Sequence, residues 1–129
     1  MMKASSESVS GGCLCGAVRF SINAPLRDVT ICHCQMCRRS CSSLGAYTAC
    51  PPGSITVTGP KLRWYRSSPV ARRGFCSKCG SQLFWEPSDG HHLSVALGSL
   101  DDGSGLKLGR HIYVDHDPTL TRAMAQGVE

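Results

Sequence analysis

Long apolar stretches are missing from this chain of 129 residues. None approaches the length of about 20 residues that a membrane-spanning helix needs, which excludes a helical membrane protein. Aromatic residues are scarce, at three Phe, two Trp and three Tyr. Only at Arg63-Trp64-Tyr65-Arg66 do they interleave with basic groups. A basic stripe with stacking platforms therefore has little to build on, and nucleic acid is not the expected partner. A charged-then-apolar leader is also missing, since Met1 to Ser10 is polar and serine-rich. The chain shows no repeat and no linker. The expected organisation is a disordered tail over 1–10, one domain over 11–118 with a modest core, and a short tail over 119–129.

Cysteine, by contrast, is abundant, with nine residues. Without a leader, and clustered rather than scattered, these thiols read as reduced and metal-bound in a cytoplasmic protein, not as a disulfide framework. Cys32-His33-Cys34-Gln35-Met36-Cys37 places three thiols within six positions, followed at once by Arg38 and Arg39. Cys13-Leu14-Cys15-Gly16 and Cys76-Ser77-Lys78-Cys79-Gly80 supply two further pairs, each followed by a glycine able to turn tightly around a metal. Four thiolates from Cys13, Cys15, Cys76 and Cys79 make a closed structural zinc site. Three from Cys32, Cys34 and Cys37 leave one position for water or substrate, unless Cys41, Cys50 or His111 completes the set. The formal charge of +5 is largely a counterweight: seven thiolates and two divalent ions together remove three charges, leaving +2.

Around these clusters the pattern is that of short strands. Val18, Phe20 and Ile22 alternate with Arg19, Ser21 and Asn23, as in a half-buried strand. Val29 to Cys32 is a β-branched approach to the trio, and one or two helical turns are expected from Gln35 to Ser43. Leu44 to Ala49 reads as extended, and Pro51-Pro52-Gly53 breaks it. Ser54–Thr58 and Leu62–Arg66, joined by Gly59-Pro60-Lys61, predict a hairpin. Gln82 to Glu86, the Leu93-Val95-Leu97 alternation, and Ile112 with Val114 predict three more strands. Trp64, Phe84 and Trp85 are expected in the core, with one of them able to wall a ligand pocket. The expectation is a mainly β fold of short antiparallel strands with two zinc-binding clusters.

Five motifs carry a resemblance: Gly12-Cys13-Leu14-Cys15-Gly16-Ala17-Val18, Cys32-His33-Cys34-x-x-Cys37-Arg38, Phe75-Cys76-x-x-Cys79-Gly80, Gly98-Ser99-Leu100-Asp101-Asp102 and His111-Ile112. On them the chain resembles the glutathione-dependent formaldehyde-activating enzyme family, which includes centromere protein V and has the Mss4-like fold. The resemblance runs from Gly12 to about Pro118. It implies a structural zinc on Cys13, Cys15, Cys76 and Cys79, and an activity-associated zinc on Cys32, Cys34 and Cys37. It also implies a carbon–sulfur lyase that adds a thiol such as glutathione to formaldehyde, or reverses that addition, so the expected partners are a small thiol and an aldehyde. The family's usual lysine-containing stretch and aromatic element are replaced by Asp115-His116-Asp117-Pro118-Thr119, which implies a more open or differently lined pocket.

The chemistry suits an open three-thiolate site. A thiol has a pKa of about 8.5 in water, so only a small fraction is nucleophilic at neutral pH, and a metal lowers that value. Of the neighbouring groups, Arg38 is the candidate partner for a substrate carboxylate. His111 is the candidate proton shuttle, with a hydrogen-bonded structural role as the alternative. His33, between two thiols, is either a donor to the metal site or a solvent-facing residue. His91, His92 and His116 read as loop residues. A non-catalytic zinc module on the same fold is the competing reading, and it predicts two saturated sites with no pocket beside Cys37.

Overall fold

The computed structural model describes residues 8–103 and 105–116. In chain order the strands are β1 (Val9–Gly12), β2 (Arg19–Ile22), β3 (Val29–Cys32), β4 (Gly45–Cys50) and β5 (Ile55–Thr58). They continue as β6 (Leu62–Ser68), β7 (Ala71–Cys76), β8 (Gln82–Pro87), β9 (Leu93–Ala96) and β10 (Leu108–Ile112). One short helix, α1 (Gln35–Ser40), joins β3 to β4. A small sheet runs β1-β2-β5, and a large one runs β10-β3-β4-β9-β8-β7-β6.

The large sheet has two different faces, and strand alternation decides what each carries. Phe84 lies opposite Val95 on β9 and Gly74 on β7, and this face packs on the small sheet. Phe20 of β2 meets Phe84 edge-on at 5.3 Å between ring centroids, and Trp64 stacks on Phe84 at 6.0 Å. Gly74 is glycine because a Cβ there would sit 3.1 Å from both of those large rings. Val18 and Ile22 are buried with Phe20, as the β2 alternation predicts. On the other face, the registers line up Arg110 with Thr30, Thr30 with Tyr47, and Arg73 with Trp85 and then Ser94. A separate cluster of Cys32, Cys37 and Tyr47, with Trp85, Ala96 and Ile112 against it, belongs to that second face.

Four expectations need correction. Val9 and Ser10 are not part of a tail: they open β1, and Val9 is 4 % exposed. The strand leaves no apolar alternation because Gly11 must be bare, its missing Cβ falling 2.3 Å from the Ser99 carbonyl and 2.4 Å from the Phe20 ring. The expected tail's residues 1–7 and the whole of 119–129 lie outside the described residues. β5 and β6 form no hairpin; β5 pairs with β2, and β6 pairs with β7. Period-2 alternation identifies a strand but not its partner. Gly59, at φ +101° and with a would-be Cβ 2.0 Å from the Ala17 carbonyl, carries the chain from one sheet to the other. Pairing is antiparallel except between β10 and β3, which are parallel. The expected strand ends early in two places, where Leu97–Ser99 and Val114–His116 coil into 3-10 turns.

Candidate metal centres

Two hairpin turns from different sheets build the first cluster. Cys13 and Cys15 sit in the β1–β2 turn, Cys76 and Cys79 in the β7–β8 turn, and their four sulfurs lie within 4.8 Å of one another. Gly16 and Gly80 take φ of +83° and +82°, which closes each turn as expected. Tetrahedral zinc with bonds of about 2.3 Å sets its sulfurs about 3.8 Å apart. Cys13 and Cys15 Sγ are 3.6 Å apart, and Cys15 and Cys76 Sγ 3.8 Å, so this donor set fits zinc. Backbone N–H groups point at the sulfurs: Val18 to Cys13 at 3.3 Å, Lys78 and Cys79 to Cys76 at 3.4 and 3.5 Å. Such donors favour the thiolate. The Ser81 hydroxyl and backbone draw the Cys79 thiol down to about 5.

The second cluster is local. Cys32 ends β3, Cys34 caps α1 by accepting the Cys37 N–H at 3.3 Å, and Cys37 lies within the helix. Their sulfurs also lie within 4.8 Å of one another, and all nine cysteines are free thiols. Hydrogen bonding between Cys37 and Cys32 lowers the Cys32 thiol, and the same bond with burial raises Cys37. Ionising one of these sulfurs thus works against ionising the other. Thiols packed this closely ionise together only around a cation, which is the behaviour of a metal site.

Across from the trio, Gly45 has no room for a Cβ, which would sit 2.6 Å from the Tyr47 ring and 3.1 Å from Cys37 Sγ. Arg73, only 5 % exposed, donates to Tyr47 Oη at 3.2 Å and to Cys37 Sγ at 3.6 Å. Burial works against its charge, but Cys37, Tyr47 and Cys41 together outweigh that. Tyr47 is pushed up, by burial first and then by Cys41, so it keeps its proton. Arg73 and Tyr47 share the wall of a cavity of ≈ 570 Å³ with all three thiols, Trp85 and Ile112.

The candidates named from sequence divide. The trio and the quartet each come together among the described residues, and no fourth ligand there joins the trio. Cys41 instead faces Tyr47 Oη at 3.4 Å, and Cys50 is buried in the main core. His111 Nδ1 pairs with His33 Nε2 at 2.9 Å, and neither histidine lines the cavity. His33 is fully buried, which removes its solvent-facing reading. Arg38 is half-buried and absent from the cavity wall, so the role expected of it at a substrate carboxylate finds no support in its position. Sequence reasoning missed Arg73 and Tyr47, and His92 and His116 turn out to line the cavity. Of the three aromatic candidates, Trp85 is the one that does so.

The family profile of the glutathione-dependent formaldehyde-activating enzymes matches residues 8–116. The chain belongs to that family. It is 31% identical over 80 residues to a Schizosaccharomyces pombe protein named as an uncharacterized lyase, a stretch that is 62% of this chain and 58% of that relative. Its fold is that of a Rhodobacter sphaeroides protein of known crystal structure, with a TM-score of 0.64 and 21% identity, covering 79% of this chain and 98% of that one. Family membership is consistent with both sulfur clusters as zinc sites. No helix among the described residues is long and apolar enough to cross a membrane.

Proposed function

We propose that the protein is a carbon–sulfur lyase that joins a thiol such as glutathione to formaldehyde or a related small aldehyde, or reverses that addition. Family membership and the lyase-named relative support a lyase acting on such substrates. The observation that carries the reading is that Cys32, Cys34 and Cys37, with no fourth ligand among the described residues, form part of a cavity wall. A cavity beside Cys37 is what a non-catalytic module with two saturated sites would lack.

Zinc on the trio would supply a charge that keeps a substrate thiol ionised near neutral pH. In the reaction a bond forms between the thiol sulfur and the carbonyl carbon. The carbonyl π bond breaks, and its oxygen takes up one proton, matching the one the thiol gives up. No oxidant or reductant is needed.

The chain's own groups serve the oxygen and the water. Arg73 and Tyr47, held beside Cys37, are the donors we assign to the carbonyl oxygen as charge develops on it. Arg73 Nε is buried with no hydrogen-bond partner among the described residues, so the carbonyl oxygen is assigned to the terminal Nη groups. Trp85 and Ile112 give the cavity an apolar side that limits competing water.

The test is zinc content together with adduct formation. Wild type purified without chelator should carry two zinc ions per chain and accelerate exchange between formaldehyde and its glutathione adduct. Cys34→Ala should lose one zinc and the acceleration while its circular dichroism stays native. Exchange by wild type at only the uncatalysed rate, or an unfolded Cys34→Ala protein, would refute the reading.

A further inference from the structure

Two arginines and a histidine lie where two cavities meet. Arg27, His92 and Arg110 line the cavity of the trio, and all three also line a second cavity of ≈ 600 Å³ bordered by His91 and Pro51. Among the described residues, no Asp or Glu lines either cavity. Arg27 is half-buried and, among the described residues, tethered by backbone carbonyls alone, donating to Asp28 O and Tyr47 O at 3.3 Å each. Those tethers keep it from swinging into solvent. Burial and then the charge of Arg110 both work against the charge of Arg27. His92 is disfavoured as a cation by burial and by Arg27 in turn. Asp89 favours the His92 cation only weakly, from outside the cavity walls. Two arginines with no carboxylate beside them in those walls are costly unless an anion from outside neutralises them.

The sheet register gives this corner its place relative to the thiols. On the parallel strands β3 and β10, Cys32 is opposite Ile112 and Thr30 is opposite Arg110. Two residues along a strand is about 7 Å. We propose that Arg27, Arg110 and His92 form a carboxylate-binding subsite that seats the charged end of the substrate thiol, whose sulfur lies at the trio. The ligand class is a thiol bearing one or two carboxylates, of tripeptide size, extended along β3. This deepens the proposed function and rests on it for the position of the sulfur. It also moves the carboxylate partner from Arg38 to groups distant from one another in sequence, which the fold brings to one stretch of cavity wall.

Binding of S-methylglutathione, whose sulfur is capped, is compared with binding of its diethyl ester by quenching of tryptophan fluorescence, Trp85 being in the same wall. Wild type should bind the acid roughly tenfold more tightly than the ester, a preference that weakens as salt is raised. Arg110→Gln alters an exposed side chain and should cut that preference below about threefold, and Arg27→Gln should do the same. Equal affinities for acid and ester, no binding of either by wild type at millimolar concentration, or an undiminished preference in Arg110→Gln would each overturn the subsite. The two readings fail separately. A wild type that prefers the acid but exchanges formaldehyde only at background rate refutes the lyase alone. Catalysed exchange without any preference for the acid refutes the subsite alone.

Discussion

The two sulfur clusters differ less in their atoms than in what their chain segments do. The quartet joins turns of two different sheets, with Cys15 and Cys76 separated by 61 positions. The trio lies within a single strand-to-helix connection, on a face of the large sheet that the main core does not use. Ion binding at the quartet therefore closes a long loop and holds two layers together, so its free energy is folding free energy. At the trio it orders little that the backbone has not already ordered. Placing the metal-ligand cost of folding at one site leaves the other free to be incomplete.

The sharpest way to break that comparison is to remove one sulfur from each cluster. Cys76→Ser should leave the protein unfolded at 25 °C, because structural zinc supplies on the order of 10 kcal/mol, comparable with the whole stability of a small domain. Circular dichroism with and without added zinc checks this, and a native spectrum in Cys76→Ser would dissolve the distinction between the sites. The matching change at the trio is steric. Gly45→Ala forces a Cβ against the Tyr47 ring and Cys37 Sγ. It should cost about 1–3 kcal/mol of stability, retain the quartet's zinc and reduce adduct exchange at least roughly tenfold. Full activity in a folded Gly45→Ala protein would mean that the trio tolerates displacement of Cys37.

Legibility from sequence divides along the same line. Cys-x-Cys, Cys-x-x-Cys and their trailing glycines state their chemistry locally, so both clusters were legible, and so were β2 and the short α1. Strand partners were not. The Gly59-Pro60-Lys61 connection looks like a hairpin turn, yet it is a crossover between sheets, because alternation is the same whichever neighbour a strand finds. Arg73 and Tyr47 escaped notice for a related reason. Arg73 sits in Ala71-Arg72-Arg73-Gly74, where nothing distinguishes it from Arg72, and its neighbour Arg72 instead stacks over Trp64 at 4.0 Å. A one-residue difference in strand phase sends one guanidinium to the outside and the other to the sulfurs. The signal that finds such a residue is the phase of β7 relative to buried Ala71, together with the position of Trp85 opposite it on β8.

A smaller effect probes the support of the trio. Arg73→Met removes the bonds to Cys37 and Tyr47 together, and loss of such outer partners typically weakens a metal site about 10–100-fold. Cobalt titration monitored by its sulfur charge-transfer absorption separates the sites, with the weaker phase moving and the tighter phase unchanged. Arg73→Lys keeps the charge without the planar fork and should fall between wild type and Arg73→Met. Identical titrations for all three proteins would reduce Arg73 to a packing residue.

The smallest expected effect lies beside the quartet. Arg19 of β2 grips Asp101, with Nη1 donating to Oδ1 at 3.0 Å and Nη2 to Oδ2, while the Asp101 N–H bonds the Ser10 carbonyl at 2.9 Å. The guanidinium holds the Asp101 carboxyl below its ordinary value. A carboxyl depressed on folding stabilises the folded state above its unfolded pKa of about 3.9, and that contribution disappears only as pH falls through the lower folded value. Sulfur ligands, in contrast, are reprotonated as metal is lost, well before such a carboxylate titrates. Asp101→Asn should therefore lower the melting temperature slightly at pH 7, because exposed pairs contribute little, and the deficit should stay constant down to the acid unfolding transition. That constant deficit should move the midpoint of the transition only slightly upward in pH, since the steep loss of metal and thiolates dominates it. A deficit that closes between pH 6 and 5 would show that the Asp101 carboxyl is not held below its ordinary value in the folded protein.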